Sequence, residues 1–255
     1  MAMIDPTDVN RLRQLLDDVD RAKSGLAFQA AMNLAIDAIE GLAGQAQVPL
    51  LQKAIGKGIR RFRSAASVLG RCRQAPQIDE WIIAALSDPD AERRDWMVQV
   101  IGKERLVRFA PQINRIIEED SDCRDFAIIA AGELGDHSNC DSLVSYANSL
   151  GPRDIPMNLL QSLSKFRVEK TMPFLRRAFE SGSEDHYRVF AAWGLGRHGD
   201  RNAIEYLVKM LDDGIDGPSL AARRAAQALS DLFDWQLEWT PDAPAQAKER
   251  WRTRT

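Results

Sequence analysis

One short pattern recurs along the chain and restricts it to a small set of folds. Ala191-Ala192-Trp193-Gly194-Leu195-Gly196 places an Ala pair four and three residues before a Leu, with Gly directly after it. Ala65-Ala66-Ser67-Val68-Leu69-Gly70 and Ala130-Ala131-Gly132-Glu133-Leu134-Gly135 repeat the arrangement. Looser copies are Met97-Val98…Ile101-Gly102, Leu159-Leu160…Leu163-Ser164 and Ala225-Ala226…Leu229-Ser230. A seventh copy centres on Ile39, although Ala30-Ala31…Leu34 fits the pattern as well. The anchors 39, 69, 101, 134, 163, 195 and 229 are then 30, 32, 33, 29, 32 and 34 residues apart. Such a period marks stacked supersecondary units, none of which can bury its own apolar face.

Behind each anchor lies a second apolar block. Leu195 is followed by Ile204, Leu207, Val208 and Leu211; Leu134 by Leu143, Tyr146, Ala147 and Leu150; Leu69 by Ile78, Trp81, Ile82 and Ala85. These offsets of +9, +12, +13 and +16 trace one stripe of a 3.6-period helix. After Leu163 the same offsets read Met172, Leu175, Arg176 and Phe179. Arg176 is the departure, and its stem is expected to cover apolar surface. After Ile101 the stripe shifts to Ile113, Ile116 and Ile117. Each unit therefore reads as helix, turn, helix, turn. The Ala pair lets neighbouring helices approach closely, and its anchor lies on the same face. The Gly after the anchor is expected to supply a left-handed turn that ends the first helix. Polar stretches such as Ser87-Asp88-Pro89-Asp90 and Asp212-Asp213-Gly214-Ile215-Asp216-Gly217 link one unit to the next and can cap the following helix.

Composition agrees with an all-helical chain. Among 255 residues there are 33 Ala and 25 Leu against five Thr and three Tyr. The expected organisation is one continuous domain: a capping helix in 1–25, about seven helix pairs of about 32 residues in 26–234, and a C-terminal cap in 235–255. The first cap carries Val9, Leu12, Leu15, Leu16 and Val19 on one face. In the second, Trp235 and Trp239 are expected to seal the last apolar face, ahead of a helix-start signal at Thr240-Pro241-Asp242.

The segment from Arg188 to Asp200, with Ala203, Ile204 and Leu207 after it, resembles a HEAT-like repeat of the phycobilisome-lyase type. The resemblance extends over about residues 26–234. It implies a superhelical all-α solenoid of antiparallel helix pairs. Its functional implication is broad, since such repeats serve bilin lyases, regulatory scaffolds, immunity-type inhibitors and a few enzymes.

Candidate chemistry is sparse. Gly194-x-Gly196-x-x-Gly199 matches a dinucleotide fingerprint by letter, but that fingerprint needs a strand before it. Gly56-Lys57-Gly58 lacks the rest of a phosphate loop. The histidines are His137, His186 and His198. His137 and His198 share a repeat position with Cys72 and Phe166, three after the anchor, yet lie two units apart, too far to converge on one ion. Di-iron HEAT-type hydroxylases carry repeated His-Glu pairs, and no His-Glu dipeptide occurs here. Cys72, Cys123 and Cys140 show no CxxC spacing and read as buried thiols in a reducing compartment. No catalytic residue, metal or cofactor is expected. A net charge of −3 from 34 basic and 37 acidic residues argues against a strongly basic nucleic-acid-binding cloak, though not against a local patch. No apolar run approaches the roughly 20 residues of a membrane span. The acidic start, Met-Ala-Met-Ile-Asp, lacks a secretory h-region, so a cytoplasmic address is expected.

What remains is surface. The offset +14 on the second helices reads Lys53, Ile83, Glu118, Asn148, Arg177 and Lys209, a row of mixed sign suited to a folded or peptide partner, if these helices line the concave side. Trp193, two before its anchor, stands where other repeats have Ser67, Gln99, Gly132, Gln161 and Gln227, and is a candidate partner anchor. The resulting reading is a non-catalytic protein-binding scaffold, monomeric or weakly dimeric, with no membrane or nucleic-acid partner. A bilin lyase or tetrapyrrole-handling subunit and a DNA-binding repair module stand as alternatives.

Overall fold

The computed structural model describes residues 9–22, 24–40, 53–56, 58–72, 76–151, 155–182, 184–212 and 219–254. Among them there is no strand. The chain is an all-α protein of stacked helix pairs, and its residues fall into two compact units, Met1–Ala130 and Ala131–Thr255.

The first unit opens with α1 (Val9–Ala22), which buries Leu12, Leu15, Leu16 and Val19 as the apolar stripe requires, and α2 (Gly25–Glu40). Next come α3 (Ile59–Arg71), α4 (Pro76–Leu86), α5 (Ala91–Lys103) and α6 (Ala110–Glu119). Helix α1 packs on α2 and α3, α3 on α5, and α4 on α5. Phe62, Leu69, Ile82, Met97, Ile101, Ile113 and Ile117 fill the core between them. The register of the first repeat is settled by burial: Ile39 is 2% exposed and Leu34 is 47% exposed, so Ile39 is the anchor.

After α7 (Arg124–Leu134), the second unit contains α8 (His137–Ser149), α9 (Met157–Ser164), α10 (Met172–Ser181), α11 (Asp185–Arg197), α12 (Arg201–Met210), α13 (Leu220–Phe233) and α14 (Ala243–Arg252). The first helices of successive repeats lie against each other, α9 on α11 and α11 on α13. The second helices α10 and α12 pack on α11 and α13 respectively. The anchors Leu163, Leu195 and Leu229 are fully enclosed in this layer. Asp90 of one inter-unit link caps the next helix as expected; residues 213–217 of the other link lie outside the described residues, and Ser219 after it is a cap, while Asp136 and Asp200 cap second helices within a unit. Asp90, Asp136, Asp200 and Ser219 accept from the backbone N–H of Glu92, Ser138, Ala203 and Ala222.

Three local expectations are corrected. The Gly after the anchor does not make the left-handed turn at Gly70 or Gly196; both lie within their helices. A Cβ at Gly70 would stand 2.5 Å from Val100 Cγ1 on α5, and one at Gly196 would stand 2.8 Å from Leu232 Cδ1 on α13. These glycines admit the next repeat. The left-handed residue comes later at Gly199 (φ 84°), and directly after the anchor only at Gly135 (φ 67°). Arg176 is exposed, and Phe174, Leu175 and Ala178 supply the buried contacts of α10. At the C-terminus Trp235 is buried beside Phe233, centroids 5.2 Å apart, and Phe233 meets Trp251 at 5.7 Å. Trp239 does not share in this seal and remains 52% exposed.

Surface charges pair between neighbouring repeats. Arg63 meets Glu92 at 3.0 Å, Arg71 meets Glu104 at 2.9 Å and Arg108 meets Asp79 at 2.9 Å in the first unit. Lys165 meets Glu133 at 2.5 Å in the second, where Lys170 also pairs with Asp141. Exposed pairs of this kind contribute little each, about 0–1 kcal/mol, but their separation by one repeat reinforces the stacking register.

Close helix approach in the second unit is stricter. A Cβ on Gly194 would lie 3.0 Å from Ser164 Cα and 2.8 Å from Leu175 Cδ1. Ser164, itself fully buried, holds its Oγ 2.8 Å from both the Leu160 and Phe190 carbonyl oxygens, tying α9 to α11. Gly194→Ala is therefore expected to destabilise the protein by about 1–3 kcal/mol, because the methyl group meets the buried Leu175 side chain and, behind it, the Ser164 backbone, which can give way only by moving α9. A urea-denaturation midpoint equal to that of the unsubstituted protein would refute this account of α9–α11 packing.

Candidate functional site

Three first helices and the segment after α13 enclose a cleft of about 430 Å³ in the second unit. Helix α9 supplies Gln161; α11 supplies Val189, Phe190 and Trp193; α13 supplies Arg224, Gln227, Ala228 and Asp231. Within α11 and α13 these residues follow three- and four-residue steps, so each helix presents one face. Trp239 closes the remaining side. Its segment is held by Leu237, which is buried and whose N–H donates to Ser230 Oγ at 3.0 Å. Asp234 (φ 53°) turns the chain out of α13, and the Arg250 guanidinium donates to the Trp235 carbonyl.

Trp193 is fixed from both sides. Its Nε1–H donates to Asp231 Oδ2 at 2.8 Å, and the Arg197 guanidinium lies 5.5 Å from its ring centroid. Burial pushes the Arg197 guanidinium below its usual range, while the Asp231 charge pulls it back up. Arg224 is held differently. It lies 4.6 Å over the Phe190 ring, and burial alone lowers its proton affinity. Arg223 lies 5.8 Å over Trp239. Among the described residues neither arginine has a hydrogen bond or an ion pair, and the Nε of each is buried without a partner.

Of the residues singled out by sequence, Trp193 is the one the cleft contains. It stands between Gln161 and Gln227, so the column two residues before the anchor comes together across three repeats. The +14 residues lie on the second helices instead. Lys53, Ile83, Glu118, Asn148 and Lys209 are exposed, and Arg177 is half-buried over Phe174, 5.6 Å from its centroid. Spacing left Phe190, Arg223, Arg224 and Trp239 unassigned. Phe190 and Arg224 each precede an anchor by five residues, and that column is the signal that marks them.

Other candidates have structural places. Gly194 and Gly196 lie inside α11, with no strand before them. His137 begins α8 and is exposed; His198 ends α11 and is half-buried; the side chain of His186 lies outside the described residues. Among the described residues no group of three or more His, Cys, Asp and Glu could hold a metal ion. No helix among them is long and apolar enough to cross a membrane.

The family model of the PBS lyase HEAT-like repeat matches residues 187–213. That stretch of the chain is similar to a HEAT-like repeat. The matched segment is the α11–α12 pair, which carries Val189, Phe190 and Trp193 into the cleft. No curated protein matches the chain. Among solved structures, human deoxyhypusine hydroxylase in complex with glycerol is similar at 14% identity over 97% of each chain, with a TM-score of 0.35.

The three thiols, Cys72, Cys123 and Cys140, are buried. Burial pushes Cys72 and Cys123 up to about 12 and Cys140 up to about 11. Since the thiolate is the reactive form, the native protein is expected to resist iodoacetamide at pH 8 and to react at all three sites once unfolded. Rapid labelling of any one thiol in the native state, read by mass spectrometry, would contradict this.

Proposed function

We propose that this chain is a non-catalytic protein-binding scaffold, with the Trp193 cleft as its principal contact and the +14 row as a second, electrostatic one. The observation that supports the reading best is the cleft itself. Phe190 and Trp193 of one repeat and Trp239 of the C-terminal segment are brought together at a surface where a repeat needs only polar residues. Aromatic residues in partly desolvated pockets carry most of the energy of typical protein interfaces. Charged residues of both signs along Lys53, Ile83, Glu118, Asn148, Arg177 and Lys209 would steer and orient a partner more than hold it.

The test is quantitative affinity capture from native lysate with the full chain as bait. A small set of proteins should be retained, and Trp193→Ala should lose them with the helical circular-dichroism spectrum unchanged. The double charge reversal Arg177→Glu with Lys209→Glu should slow capture and weaken its salt dependence. Absence of any specifically retained protein overturns the scaffold reading. Retention unaffected by either variant overturns both assigned surfaces.

A further inference from the structure

We propose that the Trp193 cleft takes a peptide segment in which a carboxylate side chain neighbours an aromatic or large aliphatic one. This rests on the scaffold reading and gives its partner a chemistry.

The cleft is furnished for two kinds of group at once. Its walls are Phe190, Trp193 and the half-exposed Trp239, and about 430 Å³ accommodates one bulky side chain with the backbone that carries it. Beside those walls stand Arg223 and Arg224, stacked on Trp239 and Phe190. A partly buried guanidinium with no counter-charge is costly, and it offers a planar fork of donors that suits a carboxylate. Asp231 does not satisfy it. One of its oxygens is taken by the Trp193 indole, and its charge acts on Arg197. Gln161 and Gln227 face the cleft, and neither makes a hydrogen bond among the described residues. Each amide has donors and an acceptor free for the backbone of an extended segment.

Simpler ligands leave part of the site unused. An inorganic anion would pair with the arginines and leave the aromatic walls wet. A purely apolar side chain would fill the walls and seal the guanidiniums from water without a partner, which is worse than leaving the cleft open. Only the combination satisfies both sets of groups.

The experiment is selection of a displayed random-peptide library on the immobilised full chain, followed by binding of the enriched sequences as synthetic, fluorescently labelled peptides. Enriched peptides should place Asp or Glu within two residues of Trp, Phe or Leu. Arg224→Gln should weaken them about tenfold, and so should Asp→Asn or Glu→Gln in the peptide. The two changes together should cost little more than either alone, since they remove one contact. Arg224→Gln should keep the helical circular-dichroism spectrum and a cooperative melt, because among the described residues the guanidinium has no hydrogen bond or ion pair to lose, only its stacking on Phe190. Enriched peptides without an acid, or acidic ones indifferent to both Arg224→Gln and Trp193→Ala, overturn this proposal and leave the scaffold reading standing. No enrichment over uncoated support also overturns it, while capture from lysate decides the scaffold reading separately.

Discussion

Close approach of successive first helices is the constraint on which the remaining features depend. In the second unit α9, α11 and α13 meet through Gly, Ala and Ser, and the contact leaves no room for a methyl group at Gly194. Ser164 converts the contact into a fixed register by reaching the Phe190 carbonyl of the next helix. Small residues at such a seam forgo the apolar area a larger side chain would bury. They gain short interhelical distances and a backbone-defined geometry that repeats from unit to unit. The Leu and Ile anchors then fill the space behind the seam, where the second helices close over them.

Tight stacking also determines what happens on the outer side of the same helices. When first helices stand close, residues two and five before the anchor form rows in which neighbours come from different repeats. Short polar side chains there would make an unremarkable solvated surface. Here Phe190, Trp193 and Arg224 occupy these rows, and Trp239 is brought over them by the turn at Asp234 and the burial of Leu237. The cleft is thus a product of stacking, assembled from side chains separated by one repeat length in sequence.

This explains how far the sequence could be read. The period, the helix pairs, the buried anchors and the Asp and Ser caps follow from local spacing, and they hold in the structure. The Gly after the anchor was legible as necessary but not for the right reason. Its role depends on Val100 or Leu232 one repeat away, which no local turn rule includes. Burial chose between Ile39 and Leu34 because both satisfy the same periodicity and only packing against other helices separates them. Trp193 was visible as an aromatic in a polar column. Arg224 was not, since charged residues are common on repeat surfaces and its lack of an ion pair among the described residues is a three-dimensional fact.

Rigidity distinguishes the two surfaces assigned to partner binding. Trp193 is held by Asp231 and Arg197, and the Arg224 guanidinium rests 4.6 Å over the Phe190 ring, so these groups lose little freedom when a ligand arrives. Binding free energy there is not spent on ordering side chains. Lys53, Glu118 and Lys209 are exposed, and long charged side chains of that kind surrender about 1.5–2 kcal/mol of rotamer freedom each when fixed. Coulomb attraction at an exposed site does not exceed that by much. On the proposed scaffold reading the +14 row would attract and orient a partner, and discrimination between partners would fall to the cleft, where an unmatched carboxylate or an empty aromatic wall carries a definite cost.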